Sequence, residues 1–299
     1  MTGGTMVQTI TPELRRWIVE QTVAGFSPES VLDAMVKVGW RQELAAAALE
    51  DSLREHRRQR GDGRGAGVVP AVVPARSQAV AARLPEIRLS PSLLRLDAGD
   101  RQVRGLATLS QPRVVVLGGL LSDEECEALI DAARPRLARS LTVQTQTGGE
   151  ELNPDRTSNG MFFTRGESEL VRRIEARIAR LVNWPLENGE GMQVLNYPVG
   201  AEYKPHYDYF DPAEPGTPTI LQRGGQRLAT LVMYLNEPAE GGGTIFPDVG
   251  LEVAPQRGNA VFFSYDKPSP ITRTLHGGAP VVQGEKWVAT KWLREREFI

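Results

Sequence analysis

The 299-residue chain contains only three histidines, His56, His206 and His276, and His206 lies in YKPHYDYF two positions before Asp208. On an extended strand, residues two apart point to the same face, so an imidazole and a carboxylate stand side by side while Tyr207 turns away. Such a pair is a chelate. His276, in LHGGAP, follows about seventy residues later and precedes what reads as a Gly-Gly turn; the interval holds enough strands to return the chain beside the first pair. Two imidazoles and one carboxylate on one face of an octahedral ion leave the opposite face open, the arrangement of the non-haem iron(II) facial triad. The same donors also suit zinc in a hydrolase or lyase, and a pocket built this way can serve a binding module without turnover. Ten residues beyond His276, Lys286 opens KWVATKWL, in which Lys286, Val288, Thr290 and Trp292 share a strand face. A buried ammonium requires an anion. No carboxylate in the sequence is its obvious partner, and a dicarboxylic cosubstrate fits that need.

Short strand-like runs must position these groups. MQVLNYPVG, YKPHYDYF, QRLATLVMYLNEP, GGTIFPDVG, LEVAPQRG, NAVFFSYD and KWVATKWLRE follow one another, cut by Gly, Pro and Asn. Runs of this kind are how an antiparallel sandwich or barrel is written. Ahead of them, PRVVVLGGLL reads as a strand, SDEECEALIDAARPRL as a capped helix and ESELVRRIEARIARLVNW as a longer amphipathic helix. The predicted class is α+β, a double-stranded β-helix (jelly roll) with flanking helices, preceded by a small helical bundle. PEIRLSPSLLRLDAGD carries no readable pattern.

Residues 1–60 form that bundle: Thr11-Pro12 and Ser27-Pro28 are cap and first-turn pairs, Leu14, Trp17, Ile18 and Gln21 keep a three-four spacing, and Gly25 and Gly39 break the helices. Residues 61–84 read as a Gly, Pro and Ala linker, and 85–299 as the second domain with its core in 111–299. The glycines of the linker follow no strand and open no helix, so they are not a nucleotide loop. His56 stands among Arg54, Arg57, Arg58 and Arg60, with Arg64 beyond, and this cluster reads as a solvated helix end.

The stretch 111–299 resembles the catalytic domain of the prolyl 4-hydroxylases, which are Fe(II)- and 2-oxoglutarate-dependent dioxygenases. RTSNGMFF, LNYPVGAEYKPHYDYF, GGQRLATLVMYLNEPAEGGGTIFP and TLHGGAPVVQGEKWVATKW carry the resemblance, in family order and spacing. It implies that His206, Asp208 and His276 hold Fe(II), that Lys286 binds the distal carboxylate of 2-oxoglutarate, and that Tyr197 and Thr244 help to hold this cosubstrate. It also implies a catalytic-site position for Tyr203 beside the substrate, and substrate contacts for Arg227, Trp292 and Arg156, the last near a loop at 143–156 that folds over bound peptide. The implied reaction uses O2, converts 2-oxoglutarate to succinate and CO2, hydroxylates a C–H bond of a proline-containing peptide or protein, and is supported by ascorbate. A free amino acid or small metabolite remains an alternative substrate. AMVKVGW and AAAALEDSL are faintly similar to ubiquitin-associated three-helix domains, so the bundle is expected to bind a protein partner or to dimerise.

Bulk composition narrows the partners. With 35 Lys plus Arg against 37 Asp plus Glu, the formal charge of -2 gives no global attraction to nucleic acid or an anionic membrane. Cys126 is the single cysteine and so forms no internal disulfide, and MTGGTMVQTI has no secretory h-region. No run approaches the roughly 20 apolar residues of a membrane span, and a cytoplasmic protein is expected.

Overall fold

The computed structural model describes residues 12–23, 28–37, 40, most of 45–53, 84–89, 95–144, 147 and 149–299. The chain divides into two compact units, Met1–Ser77 and Gln78–Ile299. In the first, α1 (Pro12–Val23) and α2 (Pro28–Lys37) each begin on a proline, whose fixed φ suits a first helical position. Ile18, Val31 and Met35 pack with Ala45, Ala48 and Leu49 from helical residues farther on, while Leu14 and Trp17 flank them. Thr11, Ser27, Gly25, Gly39, His56, the arginine cluster and the linker at 61–83 lie outside the described residues.

The second unit is built on a nine-stranded antiparallel sheet, with strands numbered along the chain. Its order is β1 (Arg95–Asp97), β2 (Gln102–Leu109), β3 (Arg113–Gly118), β14 (Ala260–Ser264), β10 (Arg227–Tyr234), β17 (Lys286–Arg294), β8 (Met192–Tyr197), β7 (Asn159–Phe163) and β4 (Ala138–Arg139). A four-stranded sheet faces it, in the order β13 (Leu251–Val253), β12 (Thr244–Phe246), β15 (His276–Gly278) and β9 (Tyr203–His206). β11 (Glu240–Gly241) and β16 (Val281–Gln283) pair separately.

Period-two alternation sorts side chains into two cores. Val194, Leu231, Met233, Phe262, Trp287 and Ala289 face the helices α3 (Asp123–Ala133) and α4 (Glu169–Leu181), whose Cys126, Leu129, Ile174 and Ile178 complete that layer. Leu195, Tyr197, Tyr234, Phe263 and Val288 point the other way, into the space shared with Phe246 and Val253 of the small sheet. Both faces of the central strands are therefore covered, which is why their sequences read as continuous apolar runs. The expected cap of α3 is present: the Ser122 hydroxyl accepts from the Glu125 N–H, and the Glu125 carboxylate accepts from the Ser122 N–H. Cys126 is buried in this helix, and burial pushes its thiol up to about 11.

Two expectations change in detail. The unreadable stretch before residue 100 supplies β1 and the buried Ile87 and Leu96, an edge too short to show a period. Residues 143–156 are not a plain loop: β5 (Leu141–Val143) and β6 (Glu150–Leu152) pair as a hairpin, and Arg156 makes an isolated bridge to Tyr203.

Candidate metal centre and adjoining pocket

His206 and His276 come from neighbouring strands, β9 and β15, and are direct cross-strand partners. Two readings of the sequence are corrected here. β9 ends at His206, so Asp208 lies on the bend just beyond the strand, yet its carboxylate still reaches both rings. Gly277 and Gly278 are strand residues rather than a turn. A Cβ on Gly277 would stand 2.8 Å from the Tyr203 carbonyl oxygen, so the residue is small because β9 passes too close for a side chain.

The three side chains converge with their ligand atoms within 4.8 Å of one another. His206 Nε2 is 3.6 Å from Asp208 Oδ1, and His276 Nε2 is 3.4 Å from Asp208 Oδ2. Each ring is oriented by the same local device. The Nδ1 of His206 meets the Lys204 carbonyl at 2.9 Å and that of His276 meets the Thr274 carbonyl at 2.9 Å, both two residues upstream. A carbonyl only accepts, so each Nδ1 carries the proton and each Nε2 presents its lone pair to the centre.

Electrostatics keep the set ready for a cation. Burial pushes the His206 imidazole below its ordinary value, and the adjacent His276 adds to that shift. Burial alone would raise the Asp208 carboxyl, but His276 and His206 outweigh it and hold the group well below the usual carboxylate range. A neutral imidazole beside an ionised carboxylate is the protonation state that metals bind. The Thr230 hydroxyl, on β10, donates to Asp208 Oδ2 at 2.7 Å and lies 3.0 Å from the Tyr265 hydroxyl. Since the carboxylate can only accept, the order of donors is Tyr265 to Thr230 to Asp208. Thr230 and Tyr265 were not singled out from sequence. The register of Thr230 with Val232 marks an inward face, but the partner on the β9 bend is invisible without the fold.

The pocket continues from the triad between the two sheets, along Thr230, Val232, Leu195, Val288 and Thr290 to Lys286, Tyr197 and Thr244. Lys286 pairs in register with Tyr197, and its ammonium stands 5.5 Å from the Tyr197 ring centre and 6.0 Å from that of Tyr234. The Tyr234 hydroxyl donates to Thr244 Oγ1 at 2.8 Å. Lys286 is 4% exposed and has no carboxylate partner among the described residues. Burial alone pulls its ammonium down to about 8.

On the opposite side, toward solvent, Tyr203 stacks on His206 with ring centres 3.6 Å apart, and burial pushes its phenol up to about 12. Arg156 is buried over the Tyr203 ring and donates to Gln193 at 2.6 Å. Arg227, expected at the substrate, has an internal partner: it grips both oxygens of Glu190 at 2.6 and 2.9 Å and lies 4.1 Å over Trp292. Trp292 itself lines both the pocket and the wider groove above it. All ten side chains named from the sequence thus gather at one centre, with Arg227 in its wall rather than projecting freely.

Residues 192–294 match the 2OG-Fe(II) oxygenase superfamily. The chain is 43% identical over 222 residues to prolyl 4-hydroxylase 5 of Arabidopsis thaliana, covering 67% of this chain and 74% of that protein. It is 44% identical over 203 residues to prolyl 4-hydroxylase 1 of the same plant, covering 62% and 70%. Among solved structures, viral collagen prolyl hydroxylase from Paramecium bursaria Chlorella virus-1, in complex with 2-oxoglutarate, aligns at 33% identity with a TM-score of 0.47, covering 60% of this chain and 95% of that one.

Proposed function

The chain belongs to the prolyl 4-hydroxylase family of iron(II)- and 2-oxoglutarate-dependent oxygenases, and on that premise we propose that it hydroxylates a prolyl residue within an extended peptide or protein segment. The observation that carries the reading is the pairing of a two-histidine, one-carboxylate centre with a buried, carboxylate-free lysine in one pocket. The donors fit iron(II): neutral nitrogen and ionised oxygen in a three-ligand set leave positions for reactants. The lysine fits 2-oxoglutarate, whose distal carboxylate provides the missing counter-charge. When bound, iron(II) supplies the redox chemistry by which 2-oxoglutarate and O2 give succinate, CO2 and a hydroxylated C–H bond.

The residues of the chain orient and shield that reaction. His206, Asp208 and His276 hold the metal, and the Lys204 and Thr274 carbonyls keep both imidazoles from turning. Thr230 and Tyr265 hold the Asp208 carboxylate through one oxygen, which limits the positions it can occupy at the metal. At the closed end Lys286, with Thr244 and Tyr197, fixes the direction in which the cosubstrate lies, so its reacting end faces the triad. Tyr203, Arg156 and Trp292 form the aromatic and cationic mouth where a prolyl residue, already ordered in polyproline conformation, packs without much loss of freedom. We place this activity in residues 85–299 and assign the N-terminal bundle a recruiting or dimerising role.

The test is succinate formation by the purified protein with iron(II), ascorbate and 2-oxoglutarate, with and without a proline-rich peptide, read beside hydroxyproline by mass spectrometry. Iron-dependent succinate that rises with peptide and disappears in His206→Ala is expected. Succinate without hydroxyproline in any peptide would move the substrate to a free amino acid or small metabolite.

A further inference from the structure

A second cavity, of about 550 Å³, adjoins the groove above the metal centre, and Phe162, Phe210 and Arg227 line both. One wall of it is a ladder of alternating guanidiniums and aromatic rings. Arg223 lies 4.7 Å over the Phe298 ring, Arg294 stands 5.3 Å from Phe298 and 4.9 Å from Phe210, and Arg227 stands 4.8 Å from Phe210 and 4.1 Å from Trp292 of the groove. Arg165 joins the lining from the turn after β7. Against these four cations the described lining holds one carboxylate, Glu190; the acidic residues of the groove, Glu151, Asp211 and Glu214, are not part of it.

That carboxylate is shared. Glu190 holds Arg227 through both oxygens, at 2.6 and 2.9 Å, and also faces Arg294, whose Nε lies 3.0 Å from its Oε1 but off the direction of a hydrogen bond. Arg294 is 3% exposed, and its Nη1 donates to the Gly225 carbonyl at 2.7 Å. Burial, with Arg227 beside it, outweighs the pull of Glu190 and brings this guanidinium down to about 10. Arg165 donates to the carbonyls of Glu187 and Phe298 at 2.8 and 2.9 Å, and Arg223 to an oxygen of Ile299 at 2.9 Å. Even with Arg223 set against that oxygen, three guanidiniums share one carboxylate. Buried charge compensated only in part costs free energy, which an anion entering the cavity relieves.

Resting on the prolyl-peptide reading, we propose that this cavity binds an acidic side chain of the substrate segment, a few residues away from the target proline. The shared wall of Phe162, Phe210 and Arg227 puts it beside the groove, and an extended chain advances about 3.3 Å per residue, so a near neighbour of the proline reaches it. Guanidinium forks suit a carboxylate. Phe162, 45% exposed, and Ile220 across the cavity give apolar surface to the stem of that side chain, which an inorganic anion would not use.

The experiment uses the iron-loaded full chain and one proline-rich peptide in versions that carry glutamate, glutamine or lysine at each position in turn before and after the target proline. Hydroxyproline is measured by mass spectrometry at low and at high salt. At positions on one side of the proline the expected order of kcat/KM is glutamate over glutamine over lysine, by about tenfold or more from first to last, carried by KM and compressed by salt. Arg223→Glu, at the exposed end of the ladder, should bring the glutamate peptide down to the rate of the glutamine peptide or below it, while the glutamine peptide keeps its wild-type rate and so reports intact folding. Equal rates for all versions at every position, a preference for lysine, or a glutamate preference that Arg223→Glu leaves unchanged would overturn the proposal and leave the prolyl reading standing. Hydroxyproline in none of them, the glutamine peptide included, would overturn both.

Discussion

Lys286 and Lys291 stand five residues apart on β17, point to opposite faces of the same sheet and are both buried, yet the chain treats them oppositely. Lys291 points toward the helices and donates to Glu175 of α4 and to the Glu190 carbonyl. Burial pulls its ammonium down, and Glu175 works against that shift. The backbone has even been shaped to admit it, since a Cβ on Gly189 would stand 2.6 Å from Lys291 Cε. Lys286 points toward the pocket, with the Tyr197 and Tyr234 rings near its ammonium and no carboxylate partner among the described residues, so burial acts on it unopposed. One buried charge has been completed by the fold, and the other has no carboxylate partner among the described residues. A buried charge without a partner therefore carries more functional information than burial alone.

The contrast breaks first at Lys286. Lys286→Met should weaken 2-oxoglutarate binding by roughly 100-fold or more, the scale of removing one partner of a buried charge pair, as measured by calorimetry on the metal-loaded protein. The same variant should be more stable without cosubstrate. The folded lysine titrates at about 8 against an ordinary 10.5. Below pH 8 the lysine is protonated in both folded and unfolded chains, and its burial then costs about 3 kcal/mol. As pH rises from 8 toward 10.5 the unfolded chain binds the extra proton and the cost fades. A gain in melting temperature at pH 7 that shrinks by pH 10 would sharpen the comparison, whereas a loss of stability would show that Lys286 has an internal role like that of Lys291.

Lys291→Met should do the reverse. Leaving Glu175 buried and unpaired costs about 3–5 kcal/mol, visible in denaturant unfolding, while cosubstrate affinity in the folded fraction stays near that of the wild type. Thr230→Val ranks next: loss of the hydroxyl on Asp208 should weaken metal binding by roughly 10- to 100-fold, read by titration of the apoprotein, and Thr230→Ser should restore it. The smallest expected effect is that of pH. Between pH 7 and 9 the free enzyme loses the Lys286 proton, so apparent 2-oxoglutarate affinity should fall about tenfold. In Lys286→Met that dependence should be absent, and a slope that persists would assign it to another group.

The contrast between the two lysines also measures how much of the site was legible beforehand. His206 and Asp208 declared themselves through rarity and two-residue spacing, and Lys286 through its place in an apolar strand with Trp292 on the same face. Lys291 sits in the same eight residues and carried no comparable signal, because its partner Glu175 lies on a helix more than a hundred residues earlier. Glu190 is a similar case. It pairs with Arg227, and with Arg294, from the stretch just before β8, and no local pattern in the sequence marks it as their partner.

The chain alone determined the strand runs, the helix caps, the donor types and their order, because these depend on local spacing and on chemistry that each residue carries with it. Tertiary structure decided which donors meet. It placed His276 opposite His206, brought Asp208 to them from a bend just past the strand, set Thr230 and Tyr265 behind that carboxylate and left Lys286 without one among the described residues. Those outcomes rest on strand register and sheet pairing across seventy or more residues, and a single residue of slip would turn each side chain to the other face of its sheet. Local sequence cannot encode so distant a match; only the packed cores on both sides of β17 hold it.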